Sequence, residues 1–159
     1  MKKRLIFILL LLSFLIPALL TAEESGLENL QFSITIKDLN SLSTRQLDEL
    51  AEKGDWFLLD GIIAGMTLYS AKDEEYLLDV LLMQGEWIGL EEVRKYDCHL
   101  IFQGEQWRDL IPDKTPRKPE EGQILLNAKV LVLAQVLSYE RTGDRILPYL
   151  MVEKIRELP

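Results

Sequence analysis

Residues 56–69 set the first limit on the fold. The run is apolar on both of its alternating sets, broken only by Asp60, and it carries Gly61 and Gly65 inside it. A strand that is apolar on both sides needs cover on both sides. An internal glycine in such a strand marks a bulge or a sharp coil rather than a flat ribbon. A second long β run covers residues 124–139, and Arg141-Thr142-Gly143-Asp144 then turns the chain into a last strand over 145–158. Gly and Asp between two apolar runs signal a hairpin. Shorter strands are expected over 76–83 and 96–103. In the second of these, Tyr96, Cys98, Leu100 and Phe102 make one set, Asp97, His99, Ile101 and Gln103 make the other, and Gly104 ends it. Gly85, Trp87, Gly89 and Leu90 read as a bent strand end or the start of a connection.

Helical signals are few. Phe32, Ile34 and Ile36 alternate with polar residues, the period of a half-buried strand, behind a polar arm over 23–31. A short helix is expected next. Ser43 and Gln46 have capping-box spacing, Leu47, Leu50 and Ala51 share a face, and Gly54 suits the left-handed residue that ends a helix. Residues 105–111 have room for one helical turn, with Trp107, Leu110 and Ile111 as its apolar members. The three prolines and many charges of 112–122 make an exposed connection.

The resulting order is strand with internal glycines, strand, strand, short helix, strand, strand. This resembles an OB-fold, a small five-stranded β-barrel with a helix between its third and fourth strands. The resemblance covers about residues 55–158, with Gly61 and Gly65 where the first strand must coil and 105–111 where the helix belongs. It is one of topology, without a family-specific motif, and is the arrangement expected of a small exported bacterial protein. It implies a mainly β (α+β) fold, with residues 23–54 adding a strand and a helix before the barrel domain of 55–159. It also implies a binding face across strands two and three, between the loops at 70–75 and 140–144. Side chains available there are Trp87, Tyr96, His99 and Gln103, with Tyr139, Arg141 and Arg145 nearby.

The first 22 residues differ from the rest. Lys2, Lys3 and Arg4 precede an apolar stretch over 5–20, and Ala22 stands before Glu23 and Glu24. This is a signal-peptide pattern with cleavage expected after Ala22. Sixteen residues of helix reach only ~24 Å against a hydrocarbon core of ~30 Å, so no stable membrane span is expected after cleavage. An uncleaved anchor stays open as the other reading. Losing three basic residues and no acidic ones takes the net charge from −8 to −11. So acidic a domain, in the periplasm or secreted, is expected to repel phosphate backbones, and nucleic acid is excluded as a partner at this stage.

The residues offer little catalytic machinery. Cys98 and His99 are adjacent, and neighbours on a strand point to opposite faces, so they do not chelate one ion together. Neither a metal nor another cofactor is expected. Cys98 reads as a buried apolar group, with a disulfide to another chain as the alternative. No second histidine exists for a two-imidazole site, and no Gly-x-Ser-x-Gly elbow or phosphate loop is present. Asp60 and Asp79, each within an apolar strand, are the only carboxylates placed for hydrolase chemistry, and a structural hydrogen bond is the competing role. Lys114, Arg117 and Lys118 lie among Pro112, Pro116 and Pro119, a docking segment or a solvated loop. The expectation is a non-catalytic exported protein that binds an envelope protein partner. The alternatives are an oligosaccharide or small-ligand binder on the same face and, more remotely, a carboxylate-dependent hydrolase.

Overall fold

The computed structural model describes residues 29–72, 75–112, 114 and 116–159. The signal-peptide pattern of 1–22 lies outside them. The fold is mainly β, with two short helices and one six-stranded sheet. The strands are β1 (Leu30–Gln31), β2 (Trp56–Ser70), β3 (Leu77–Ile88), β4 (Glu92–Gln103), β5 (Lys129–Thr142) and β6 (Arg145–Glu157). The helices α1 (Ile36–Ser41) and α2 (Thr44–Lys53) precede β2. Neighbours run β1-β2-β3-β4-β6-β5, and β5 pairs back onto β2, so the last five strands close a ring of hydrogen bonds. Only β1–β2 and β4–β6 are parallel among the pairings of the described residues. This order is consistent with the OB-like topology expected from the sequence.

The ring closes because β2 serves both sides of it. Residues 56–62 pair with β5 and residues 62–70 with β3, and Ile62 has partners on both strands. At this corner Gly61 leaves space: a Cβ there would sit 2.8 Å from Leu82 Cγ and 3.0 Å from the Met83 carbonyl. A register shift between Ile63 and Gly65 completes the coil. Inside, Phe57, Leu59, Val80, Leu82, Cys98, Leu100, Phe102, Val130, Val132 and Leu150 are fully buried. Phe102 meets Trp107 edge to face, with centroids 5.0 Å apart.

Three expectations change. Ile36 does not belong to a strand. Thr35 and Asp38 form a reciprocal capping box that starts α1 there, no strand forms over 32–36, and the short β1 falls instead on Leu30–Gln31, in the stretch expected to be a polar arm, leaving Phe32 71% exposed. The helix between β4 and β5 reduces to a single 3-10 turn, Glu105–Trp107. The hairpin of β3 and β4 is longer than its hydrophobic pattern indicates. It continues through Gly85 and Trp87 to Ile88, paired with Glu92. By contrast, α2 forms as its spacing requires, with the Ser43–Gln46 box and Gly54 at φ 63°. Both helices bury apolar residues in the common core, Ile36 and Leu39 from α1 and Leu47 from α2. Among the described residues no helix is long and apolar enough to cross a membrane.

Candidate binding face

Alternation in β4 divides its side chains into two environments. Cys98, Leu100 and Phe102 enter the core, and Asp97, His99, Ile101 and Gln103 take the outer face. Register then decides what each outer residue meets. His99 lies opposite Leu81 on β3 and Tyr149 on β6, and Asp79 lies one step diagonally away, opposite Ile101. The His99 and Tyr149 rings stack with centroids 4.6 Å apart and planes 12° from parallel. His99 Nδ1 is 2.6 Å from Asp79 Oδ1. With Asp79 as a carboxylate, that nitrogen carries the proton, and in the neutral ring Nε2 is left as an acceptor. The Asp79 side chain is 6% exposed and that of His99 21%. The carboxylate is therefore held inside the sheet surface and the imidazole edge reaches water.

Further residues complete this face. The Tyr149 hydroxyl donates to Glu140 Oε2 at 3.3 Å. Burial, followed by that hydrogen bond, pushes the Tyr149 phenol above its ordinary pKa. Thr67 stands opposite Asp79 on β2, and Tyr69, two residues on, is 66% exposed. A cleft of about 230 Å³ beside the stack is lined by Glu140, Thr142, Arg145 and Leu147. Arg145 donates to Asp97, which raises the guanidinium pKa further. The arrangement offers a flat stacked ring pair, an imidazole edge open to water and a row of half-buried apolar neighbours. Among the described residues no group of three or more His, Cys, Asp or Glu is placed to hold a metal ion.

The residues singled out from the sequence fall on two faces. Trp87, His99, Gln103 and Arg145 share the outer face, spread along the sheet, with Trp87 71% exposed near the hairpin tip. Tyr96, Tyr139 and Arg141 lie on the other side. Tyr96 donates to Glu86 Oε2 at 3.0 Å, with Lys37 of α1 5.7 Å above its ring. The Lys37 ammonium, 2.8 Å from Glu86, is the main reason that carboxyl sits below its usual range. Tyr139 faces α2, and its phenol pKa is raised by burial and then by a hydrogen bond involving Asp48. The register shift between Val136 and Ser138 sets Tyr139 opposite the buried Pro148 and Arg141 opposite Ile146. The Arg141 Nε donates to the Gly143 carbonyl at 3.1 Å.

Three residues of the face escaped the sequence reading: Tyr69, Glu140 and Tyr149. Their signal is weak, since each is one polar or aromatic residue in an alternating strand, and only register joins them to His99. Asp79 had a signal, a lone carboxylate in an apolar run, and its partner is His99. Asp60 is exposed on β2, and Lys114, Arg117 and Lys118 are exposed in their loop. Cys98 is fully buried, and burial drives its thiol pKa far above the ordinary value.

No family model matches the chain, and no curated protein matches it. A solved structure described as a Plasmodium falciparum SSB complex with ssDNA is similar in structure, with 13% sequence identity and a TM-score of 0.42. The match covers 65% of this chain and 94% of that one. The exclusion of nucleic acid drawn from net charge is corrected on this finding. Net charge is a sum over the whole surface, whereas phosphate contacts depend on local charge, so neither −8 nor the −11 left after loss of residues 1–22 excludes a partner class by itself.

Proposed function

We propose that this chain is a non-catalytic, exported binding protein built on an OB-like barrel, and that its ligand face is the outer surface of β3, β4 and β6 centred on His99 and Tyr149. One observation carries the reading: the stacked His99–Tyr149 pair, fixed from below by Asp79 and from the side by Glu140, lies on an open sheet face. A ring pair already locked in place loses little side-chain freedom when a ligand packs on it, which favours binding. Export rests on the charged and then apolar pattern of residues 1–22. The non-catalytic reading rests on His99 being the sole imidazole, tied to Asp79, with the Cys98 thiol on the opposite side of the strand.

A protein of the cell envelope is the preferred ligand. An oligosaccharide is the second reading, favoured by the flat stack and by the exposed Tyr69 ring two residues beyond Thr67. In-cell crosslinking of the full chain, followed by mass spectrometry, tests the first. A discrete crosslinked protein that disappears in both His99→Ala and Tyr149→Ala supports it, provided both variants remain folded. Amide shift titrations with N-acetylglucosamine oligomers and with oligothymidylate test the other ligand classes. Saturable shifts confined to Tyr69, His99 and Tyr149 with either probe, and no crosslinked protein, replace the preferred reading.

A further inference from the structure

The β3–β4 hairpin runs past the ring. Met83 is the last β3 residue with a partner on β2, and β4 meets β6 only from His99 to Ile101. Residues 84–88 and 92–96 therefore pair only with each other. On this arm the edge of β4 away from β3 can be located from Asp97. The Asn40 side chain donates to the Asp97 carbonyl at 2.8 Å and accepts from its N–H at 3.1 Å, so both groups point to that edge. The N–H and C=O of one strand residue point the same way, and the direction alternates along the strand. Lys95 and Val93 therefore direct their backbone groups to the same edge as Asp97. Among the described residues no strand lies there.

We propose that this edge pairs, antiparallel and about a two-fold axis at Val93, with the same edge of a second copy of this chain. The register follows from charge. A two-fold pairing sets some residue opposite its own copy. Centring it on Glu92, Arg94 or Lys95 sets like charges face to face, which destabilises a sheet pair. Centring it on Val93 sets Glu92 opposite Arg94, twice by symmetry, and brings Glu91 of the hairpin turn towards Lys95. The ends agree as well. Asp97, closed off by Asn40, then falls opposite Gly89, where φ of 66° turns the second copy's hairpin away. Across the joined strands Trp87, which is paired with Val93 on the outer face, completes an apolar row of Trp87, Val93, Val93 and Trp87. Those side chains are 71% and 40% exposed in the single chain.

Sedimentation velocity of the full chain over a wide concentration range reads the association directly. Glu92→Arg turns two attractive contacts into repulsive ones and is expected to weaken dimerisation by about tenfold or more. Glu92→Arg combined with Arg94→Glu restores opposite charges and is expected to return the association to near the parent value. Val93→Pro removes an N–H that serves only the free edge, so the variant is expected to stay folded by circular dichroism and to sediment as a monomer. Should Val93→Pro unfold, the charge exchange alone decides the matter. A parent chain that stays monomeric, or a dimer indifferent to Glu92→Arg, overturns the proposal.

Discussion

Truncating His99 to alanine is the most informative single perturbation. The Asp79 carboxylate is 6% exposed and has its imidazole partner at 2.6 Å, so removing the ring leaves an acceptor that water reaches only through the space vacated. Leaving such a group unsatisfied costs ~1–3 kcal/mol, and losing the stack on Tyr149 adds ~0.5–1.5 kcal/mol. The expected loss is therefore ~2–4 kcal/mol. Asp79→Ala is expected to be milder, ~1 kcal/mol, because the imidazole it orphans is partly in water and keeps its stack. Replacing both by leucine is expected to recover most of the loss, since no polar group is then left buried. Urea unfolding followed by tryptophan fluorescence measures all of these. At a slope of ~1.5–2 kcal/mol per molar, the His99→Ala midpoint falls by ~1–2.7 M. An Asp79→Ala variant less stable than His99→Ala, or losses below ~0.5 kcal/mol in both, would refute the argument that burial of the carboxylate sets the energetics.

Other perturbations test the ring. Val132 is fully buried and paired with Leu59 and Ile155, so Val132→Asp introduces an unpaired charge into the core and is expected to abolish the folded circular dichroism signal. Gly61→Ala drives a Cβ to 2.8 Å from Leu82 Cγ and is expected to cost ~1–3 kcal/mol, with a smaller increment in a Leu82→Ala background. Asn40→Ala exposes or orphans both backbone groups of Asp97 and is expected to lower stability by ~1–3 kcal/mol in urea. The buried Cys98 thiol is expected to resist maleimide in the native chain at pH 8 and to react at the rate of unfolding; rapid native labelling contradicts its place in the core.

What the sequence discloses and what it conceals divide along one physical line. Signals carried by neighbours a few residues apart are readable. The Ser43–Gln46 box, the Gly54 cap, the Gly143–Asp144 turn and the Cys98–Leu100–Phe102 set each depend on local geometry, and each stands in the structure where its spacing puts it. Ile36 shows how two local signals compete. Its alternation with Ile34 and Phe32 suits a strand, but the Thr35 and Asp38 side chains accept from the two backbone N–H groups of the capping box and are joined by a bond from the Thr35 hydroxyl to the Asp38 carboxylate, and the short Phe32–Ile34 set buries too little apolar surface to outweigh them. The longer β3–β4 hairpin was hidden for the opposite reason. Trp87 and Val93 match across strands without either being buried, so no hydrophobic pattern announces the pair.

The candidate face was hidden at a deeper level, because it depends on register between strands far apart in the chain. Alternation shows that His99 points away from Cys98, and it stops there. That His99 meets Tyr149 rather than Leu147 or Met151 is decided by three residues of parallel pairing between β4 and β6. That Tyr139 leaves the face while Glu140 joins it is decided by one irregularity between Val136 and Ser138. A slip of one residue exchanges the two faces of a strand. Strand phase is therefore readable before the register shift and inverted after it, which is why Tyr139 and Arg141 lie on the helix side and Tyr149 and Glu140 stand beside His99. Adding one residue past the irregularity tests this directly: an alanine inserted between Ser138 and Tyr139 should carry Tyr139 to the outer face and Glu140 off it, so the Tyr149–Glu140 hydrogen bond is lost and the Tyr149 phenol titrates closer to its ordinary pKa in a spectrophotometric titration; an unchanged titration would refute the argument.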